Sequence, residues 1–181
     1  MKSVMQLPWF RGLVVLLCTG LLGQAGFGQT AKKRPANSKP PTVLFVCEHG
    51  AAKSVIAGAF FDKFAKQKGL KYRAVFRGTN PDPVISPITQ KGLKEDGLDV
   101  GDAKPTLVSK ADMDEASQII TLGCRLPDAE QVTEKVTDWS DIPSPSNYQM
   151  ARDAISKRVQ SLVDDLAKKT KESSKKKQTV Q

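Results

Sequence analysis

The sequence is poor in the side chains that bind transition metals. Its 181 residues include one histidine, His49, and three cysteines, Cys18, Cys47 and Cys124. Their spacing matches none of the patterns that hold zinc or related metals. His49 could in principle act as a base for Cys47, but the two residues lie so close together on a short loop that the geometry is unfavourable. We therefore expect no metal site.

The sequence also lacks an apolar run that could cross a membrane comfortably near its N-terminus. The run at residues 12–23 has the length of a signal-peptide core, and Lys2 and Arg11 supply the basic region that such signals carry. Small residues just before residue 29 suit cleavage. We predict that residues 1–28 are a signal peptide and that the protein is exported, either periplasmic or secreted, with no stable membrane span after cleavage. The alternative is an uncleaved N-terminal anchor.

Acidic side chains are scarce outside the middle of the chain. Residues 42–167 carry 16 basic and 18 acidic side chains, whereas both flanks are strongly basic. The composition predicts a basic flexible linker at 29–41 and a disordered lysine-rich tail at 168–181. These flanks could bind nucleic acid or an anionic envelope surface, but solvated flanks are the simpler interpretation, so we expect no nucleic-acid partner. The sequence leaves the oligomeric state open.

The residues from 42 to 167 alternate between short apolar runs and amphipathic segments, with no internal repeat. The predicted strands cover 42–46, 72–77, 117–122 and, as a weaker edge strand, 134–139. The predicted helices cover 54–68 and 87–96, with a short helix after Ser109 and a long one after Asn147. This alternation predicts a single α/β domain in which a four-stranded parallel sheet is covered by helices on both faces, a three-layer α/β/α arrangement.

The segment at residues 43–54 carries the strongest functional signal. An apolar strand ends at Cys47, five loop residues follow, and Lys53 and Ser54 open a helix. Loop N–H groups and the positive end of a helix together bind anions, and ligands of parallel sheets lie beyond the carboxyl ends of the strands. The same field is expected to stabilise a thiolate at Cys47 and make it a nucleophile. The alternative is an inert buried cysteine beside an ordinary helix cap at Ser54.

The order strand, cysteine, five residues, cation, serine and helix resembles the phosphate-binding loop of low-molecular-weight protein tyrosine phosphatases. Thioredoxin-coupled arsenate reductases share that loop and fold. The resemblance extends over residues 42–167. It includes the turn at 77–79 after the second strand, the third strand at 119–122 and a late loop at 139–143.

The resemblance implies roles for a small set of residues. Cys47 would attack phosphorus or arsenic, Lys53 would neutralise the oxyanion, and Asp141 would protonate the leaving oxygen and then activate water. Ser54 would hydrogen-bond the Cys47 thiolate. The implied substrate-binding residues are those of the loop, Glu48, His49, Gly50, Ala51, Ala52, Lys53 and Ser54. Asp138 competes with Asp141 for the acid role, although it falls in the predicted edge strand.

The sequence departs from the family pattern at four places. Lys53 stands where the family has arginine, which offers a bidentate fork that lysine lacks. Gly50 replaces an asparagine that braces the loop. An isoleucine separates Asp141 from the following proline, whereas the phosphatases place aspartate directly before proline. Residues 144–146 replace the tyrosines that wall an aryl substrate. These differences argue against a dedicated phosphotyrosine pocket.

Three functions follow from the resemblance and the departures. The first is a phosphate monoester hydrolase that acts through a cysteinyl-phosphate on a small oxyanion or phosphate monoester and needs no cofactor. The second is a thiol-dependent arsenate reductase, with Cys124 as resolving thiol and thioredoxin or another thiol reductant as partner. Family reductases use three cysteines in relay, whereas the mature chain would hold two, and Cys124 could instead be core filler. The third is a non-catalytic oxyanion-binding protein.

Overall fold

The computed structural model describes residues 39–127 and 129–178, so the predicted signal peptide and most of the predicted linker lie outside the described residues. The strands are β1 (Thr42–Cys47), β2 (Arg73–Gly78), β3 (Ala116–Thr121) and β4 (Val136–Asp138). The helices are α1 (Lys53–Gln67), α2 (Pro87–Glu95), α3 (Lys110–Glu115) and α4 (Tyr148–Gln178). Two short 3₁₀ turns, Ala129–Gln131 and Thr133–Lys135, precede β4.

The four strands form one parallel sheet in the order β2-β1-β3-β4. The first strand is therefore central, which explains its continuous apolar sequence: residues 43–46 are at most 1% exposed. Parallel neighbours require crossover connections, and α1 and the helical segments after β2 supply them. The predicted α/β fold is confirmed.

Successive side chains of β1 pack into two separate cores. On one face, the ring of Phe45 lies 5.7 Å from Phe61 of α1 and 6.3 Å from Trp139, and the buried stripe of α4 belongs to the same core. On the other face, Leu44 packs with Met113 of α3. The sheet is thus the middle layer of three. In the described part of the chain, no helix is both long enough and apolar enough to span a bilayer.

The predicted helix starts are present where side-chain caps were expected. Ser109 and Asp112 form a reciprocal capping box at the start of α3. The side-chain oxygen of Asn147 accepts a hydrogen bond of 3.1 Å from the N–H of Met150 in the first turn of α4. The start of α1 is different, since Ala52 at its N-cap position makes no side-chain hydrogen bond. That difference contributes to the site described below.

The structure differs from the sequence prediction at two element boundaries. The edge strand β4 has only three residues, because residues 133–135 form a 3₁₀ turn and pairing with β3 begins at Val136. Helix α4 continues through Gln178, whereas the sequence pattern favoured disorder from residue 168. Lysine and glutamate are good helix formers, and a helix already anchored by buried Leu166 needs no new nucleation to extend.

Candidate active site

Cys47 lies at the carboxyl end of the central strand, next to the first turn of α1. Its side chain is buried, and its thiol donates a hydrogen bond to the Ser54 hydroxyl oxygen with 3.2 Å between Sγ and Oγ. Ser54 is completely buried and sits inside the helix, so it is not the cap of α1. When the sulfur is a thiolate, the Ser54 hydroxyl can reverse this bond and donate to it.

The carbonyl groups of Cys47 and of three residues in the loop after it all accept hydrogen bonds from the segment that follows β2. The pairs are Thr79 to Cys47 at 3.1 Å, Asn80 to Glu48 at 2.8 Å, Asp82 to His49 at 3.0 Å and Ser86 to Ala51 at 3.0 Å. The N–H groups of residues 48–53 donate to no protein acceptor in the described part of the chain. Such a run of N–H groups is an anion-binding concavity.

The first turn of α1 strengthens this positive site. It contains no acidic side chain, and the N-cap residue Ala52 offers no oxygen to the helix N–H groups. Its N-terminal partial charge is therefore left for an external anion. Ser86 at the start of α2 also makes no side-chain cap hydrogen bond. What distinguishes α1 is that its uncapped start follows the loop after a buried thiol, where an oxyanion ligand would satisfy the open donors.

Two glycines let the loop approach the end of β2. Gly50 has a φ of +60°, and a Cβ built on it would lie 2.8 Å from the backbone nitrogen of Gly78. The reverse also holds, because a Cβ on Gly78 would lie 2.8 Å from the nitrogen of Gly50. The close approach explains why this chain has glycine at position 50: any side chain there would displace the loop from the end of β2. The family resemblance placed Gly78 in the turn at 77–79, and the folded loop gives the steric reason for a glycine there.

Lys53 extends towards the turn that follows β3. Its Nζ lies 3.5 Å from the point that a Cβ on Gly123 would occupy, close to the backbone of Ser140. No carboxylate lies within 4.0 Å of it among residues 39–127 and 129–178. Because the ammonium group is not neutralised by the protein, it is available to an anion bound in the loop.

Cys124 is brought next to the site by the same turn. Its thiol donates to the carbonyl of Val46, the residue before Cys47, at 3.4 Å. Burial raises the pKa of the Cys124 thiol to about 11, with a further rise from the neighbouring Cys47 that Lys53 partly opposes. Cys124 is thus a protonated thiol at neutral pH, close to both residues.

Asp141, the predicted acid, is turned towards the last helix. Its carboxylate is 68% exposed and forms an ion pair with Arg158 of α4, whose guanidinium lies 5.8 Å from the ring of Trp139. In the described part of the chain, its contacts do not include the loop that follows Cys47. Trp139 itself is buried beneath this pair as part of the core.

Asp138 lies closer to the surroundings of Lys53. Its carboxylate accepts a 2.6 Å hydrogen bond from the Thr121 hydroxyl. This bond, those from the Ser140 side chain and backbone, and one from the Gly123 N–H lower the pKa of Asp138. Asp138 is therefore ionised near neutral pH. Its hydrogen bonds connect the turn at Gly123 with the backbone at Ser140, near the end of the Lys53 side chain. The sequence placed Asp138 in the edge strand, where the structure also has it, and named it as a competitor for the acid role, but did not predict these hydrogen bonds.

His49 lies on the outer side of the loop between two carboxylates. Its Nδ1 is 3.4 Å from Asp82 and its Nε2 is 3.9 Å from Glu48, and all three side chains are at least half exposed. These contacts point the imidazole at carboxylates rather than at Cys47. Among the described residues, no three histidine, cysteine or acidic side chains are grouped so as to hold a metal ion.

A parallel sheet whose central strand ends in a buried cysteine and an open anion loop defines a class of oxyanion-binding α/β proteins. Comparison with known families makes this specific: residues 42–176 match the family model for the low molecular weight phosphotyrosine protein phosphatase. The chain belongs to this family. No curated protein sequence matches it.

Solved structures share the fold. An arsenate reductase from Archaeoglobus fulgidus is 30% identical, with a TM-score of 0.57, and the match covers 67% of this chain and 98% of the reductase. YfkJ from Bacillus subtilis is 23% identical, with a TM-score of 0.63 and coverage of 74% and 98%. A protein tyrosine phosphatase from Entamoeba histolytica is 20% identical, with a TM-score of 0.62 and coverage of 71% and 96%. Phosphatases and arsenate reductases thus both occur among its structural relatives.

Proposed function

We propose that the protein hydrolyses phosphate monoesters through a cysteinyl-phosphate intermediate at Cys47. The observation that carries this proposal is the run of N–H groups from residues 48–53, which directly follows the buried Cys47 and has no protein acceptor in the described part of the chain. A phosphoryl group spreads negative charge over three equatorial oxygens, and catalysis of its transfer depends mainly on positioning and on electrostatic stabilisation. The unpaired ammonium of Lys53 adds a full positive charge to that cradle.

The proposed reaction has two steps. The Cys47 thiolate attacks phosphorus, the bond from phosphorus to the ester oxygen breaks, and the leaving oxygen takes up a proton. Water then attacks phosphorus, loses a proton and displaces the Cys47 sulfur, which releases inorganic phosphate. Ser54 stabilises the thiolate in both steps by donating its hydroxyl hydrogen. No redox change occurs.

We assign the proton transfers to Asp141, as the family resemblance implies. Asp138 is a poor donor because hydrogen bonds lower its pKa and keep it ionised. Asp141 would have to exchange its ion pair with Arg158 for the substrate during turnover. Its exposure makes that exchange inexpensive, since exposed ion pairs contribute little free energy.

The test is turnover of a generic aryl phosphate by the full chain. We expect Cys47→Ser to abolish turnover, and Cys124→Ser, a matched change of the neighbouring thiol, to retain most of it. Rapid acid quenching of the wild type should trap phosphate on Cys47. Equal turnover by wild type and Cys47→Ser would contradict the proposal. Binding of phosphate without any turnover would instead favour a non-catalytic oxyanion-binding protein.

A thiol-dependent arsenate reductase is the second candidate, because Cys124 lies beside Cys47 and one structural relative, an arsenate reductase, is 30% identical. Here Cys124 would attack the sulfur of a Cys47–arsenate adduct, forming a disulfide while arsenite leaves with two electrons. A thiol reductant would then restore both thiols. The raised pKa of Cys124 leaves little thiolate at neutral pH, which is why we rank this function second. Arsenite release that persists in Cys124→Ser would exclude it.

We also propose that the protein acts outside the cytoplasm. The basis is the sequence of residues 1–28, whose basic start and apolar run are typical of export signals. Cell fractionation of the tagged full chain tests this, and recovery of full-length protein in the cytoplasm alone would contradict it.

A further inference from the structure

The end of the domain opposite Cys47 carries an exposed basic surface. It forms where the chain enters β1, where the loop at 69–72 leads into β2, and where the last turns of α4 pass these segments. We call it the basic end face and define it by Lys39, Lys71, Arg73, Lys169 and Lys176, all of which are exposed. It shares no residue with the site around Cys47.

Two open grooves make this surface continuous. One, of about 510 Å³, runs between the loop at 69–72 and α4 and is lined by Lys71 and Lys169. The other, of about 490 Å³, is lined by Lys39 and Arg73. Pro41 lines both grooves, and its carbonyl accepts a 3.0 Å hydrogen bond from the N–H of Arg73. Four of the five cations therefore line one connected surface, and Lys176 lies two turns after Lys169 on the same face of α4.

The acidic residues nearby leave these cations without ion-pair partners. Asp164 pairs with Lys68 at 2.8 Å, and Asp165 pairs with Lys168 at 3.3 Å. No ion pair within 4.0 Å in the described part of the chain includes a residue of the basic end face. Glu115 and Glu172 are the carboxylates on or next to this surface. Cations that the protein leaves unpaired over a broad face suit an extended anionic partner.

The chain that precedes the described residues also joins the domain at this face. It carries Lys32, Lys33 and Arg34, which lie within seven residues of Lys39 in the sequence and follow the predicted cleavage site. Basic clusters are attracted to the negative potential of anionic lipid surfaces. These three cations therefore add to the charge that adjoins the basic end face along the chain.

From these unpaired cations we propose that the basic end face docks on an anionic lipid surface, with the phosphodiester headgroups as its ligands. The six residues of β1 separate this face from Cys47 by roughly 20 Å. In the docked state the open end of the Cys47 loop faces away from the lipid, towards substrates in solution. The proposal does not depend on the chemistry assigned to Cys47.

The experiment is vesicle cosedimentation of the full chain. Neutral phosphatidylcholine vesicles measure the binding that residues 12–23 give on their own. Vesicles that also contain phosphatidylglycerol should bind at least about tenfold more tightly, and 0.5 M salt should remove that difference. Equal binding to both vesicle types at low salt would overturn the proposal.

A charge-matched pair of variants locates the surface. Replacing Lys71, Lys169 and Lys176 together with glutamine should lower binding to anionic vesicles by about tenfold or more. Replacing three exposed lysines elsewhere, Lys91, Lys94 and Lys104, removes the same charge and should change binding less than about threefold. Matching unfolding midpoints establish that both variants fold. An equal loss in the two variants, or tighter binding of duplex DNA than of anionic vesicles, would overturn the assignment.

Discussion

At the scale of single residues, the proposed reaction depends most on how well Lys53 can stabilise a transition state. Its ammonium group is a point charge, whereas the arginine of the wider family binds two oxyanion oxygens at once. The Nζ of Lys53 lies 3.5 Å from the point that a Cβ on Gly123 would occupy, so its side chain is directed towards the turn that follows β3. The side chain at this position should therefore affect the turnover number as well as the affinity for an oxyanion.

Lys53→Arg is expected to raise kcat for an aryl phosphate by about tenfold, since the fork adds a second donor in the transition state. Lys53→Gln should lower kcat by roughly 10²-fold or more, because it removes the positive charge that faces the transition state. Steady-state kinetics of both variants, with the folded fraction checked by circular dichroism, measures the effect. A change confined to KM would contradict a transition-state role for Lys53.

Gly50 can be tested by stability rather than by activity. Gly50→Ala should lower the free energy of unfolding by about 3 kcal/mol, because it strains a positive φ and also forces a Cβ against Gly78. Gly69 is a matched control, since its φ is +66° and nothing lies within 4 Å of the position of its Cβ. Gly69→Ala should cost only about 1 kcal/mol in urea unfolding. Equal costs would show that the contact with Gly78 is unimportant.

The residues of the site were predictable from the sequence to different degrees. Cys47, Lys53 and Ser54 are close in the chain, so one strand–loop–helix unit fixes their arrangement and the sequence identified all three. Asp138 and Cys124 come into position through pairing of β3 with β4 and through the turn at Gly123, both of which join distant parts of the chain. Local patterns carry no information about such pairing.

At the scale of secondary-structure elements, an ion pair fastens α3 to the sheet. Arg77 of β2 donates two hydrogen bonds to Asp112 of α3, at 2.8 and 3.1 Å, and both side chains are mostly buried. Burial tends to raise the pKa of Asp112, but hydrogen bonds from Arg77 and Ser109 outweigh it and lower the pKa. The same carboxylate also accepts the capping-box hydrogen bond from Ser109 at the start of α3. Asp112 therefore joins β2, through Arg77, to the first turn of α3.

Asp112→Asn should lower the free energy of unfolding by about 2 kcal/mol at pH 7. The lowered pKa means that the folded state favours the ionised form. This stabilisation is complete above the usual carboxyl pKa of about 4 and is lost as pH falls through the lower folded value. The difference between wild type and Asp112→Asn should therefore shrink in urea titrations below pH 4.

Asp114→Asn is the control for this pair. Asp114 lies two residues away on the same helix and pairs with Lys110, but both side chains are more than half exposed. Asp114→Asn should change the free energy of unfolding by less than about 1 kcal/mol at any pH. A loss as large as that of Asp112→Asn would mean that the charge of α3, rather than its bond to Arg77, matters.

Element boundaries were predicted well where a side chain terminates the element and poorly where packing does. The caps at Ser109 and Asn147 are local, and both helices start where the sequence indicated. The short β4 is limited by how much of it can pair with β3, and the length of α4 depends on the anchoring of its buried stripe to the core. The lengths of β4 and α4 therefore depend on tertiary contacts, which the helix and strand propensities of single residues do not reflect.

At the scale of the whole molecule, charge and chemistry are separated along the strand direction. The carboxyl end of the sheet holds the oxyanion loop, and the amino end holds the basic end face, although the domain itself has more acidic than basic side chains. The sequence showed the basic flanks but assigned them to solvent. It could not show that Lys71 and Arg73, from within the domain, complete the same surface, because that requires the folded position of the loop at 69–72.

The open N–H groups around Cys47 should also make global stability depend on oxyanions. If the proposed loop binds inorganic phosphate only when folded, a phosphate concentration one hundred times its dissociation constant should add about 2.7 kcal/mol to the free energy of unfolding. Lys53→Gln should lose most of this increment, whereas Lys91→Gln, which removes an equal charge on α2, should keep it. Thermal unfolding with phosphate and, at equal ionic strength, with chloride measures the effect. An equal rise in both salts would assign it to general screening, and the loop would then be no oxyanion site; a rise specific to phosphate, even in Cys47→Ser, would separate binding by the loop from catalysis by the thiol.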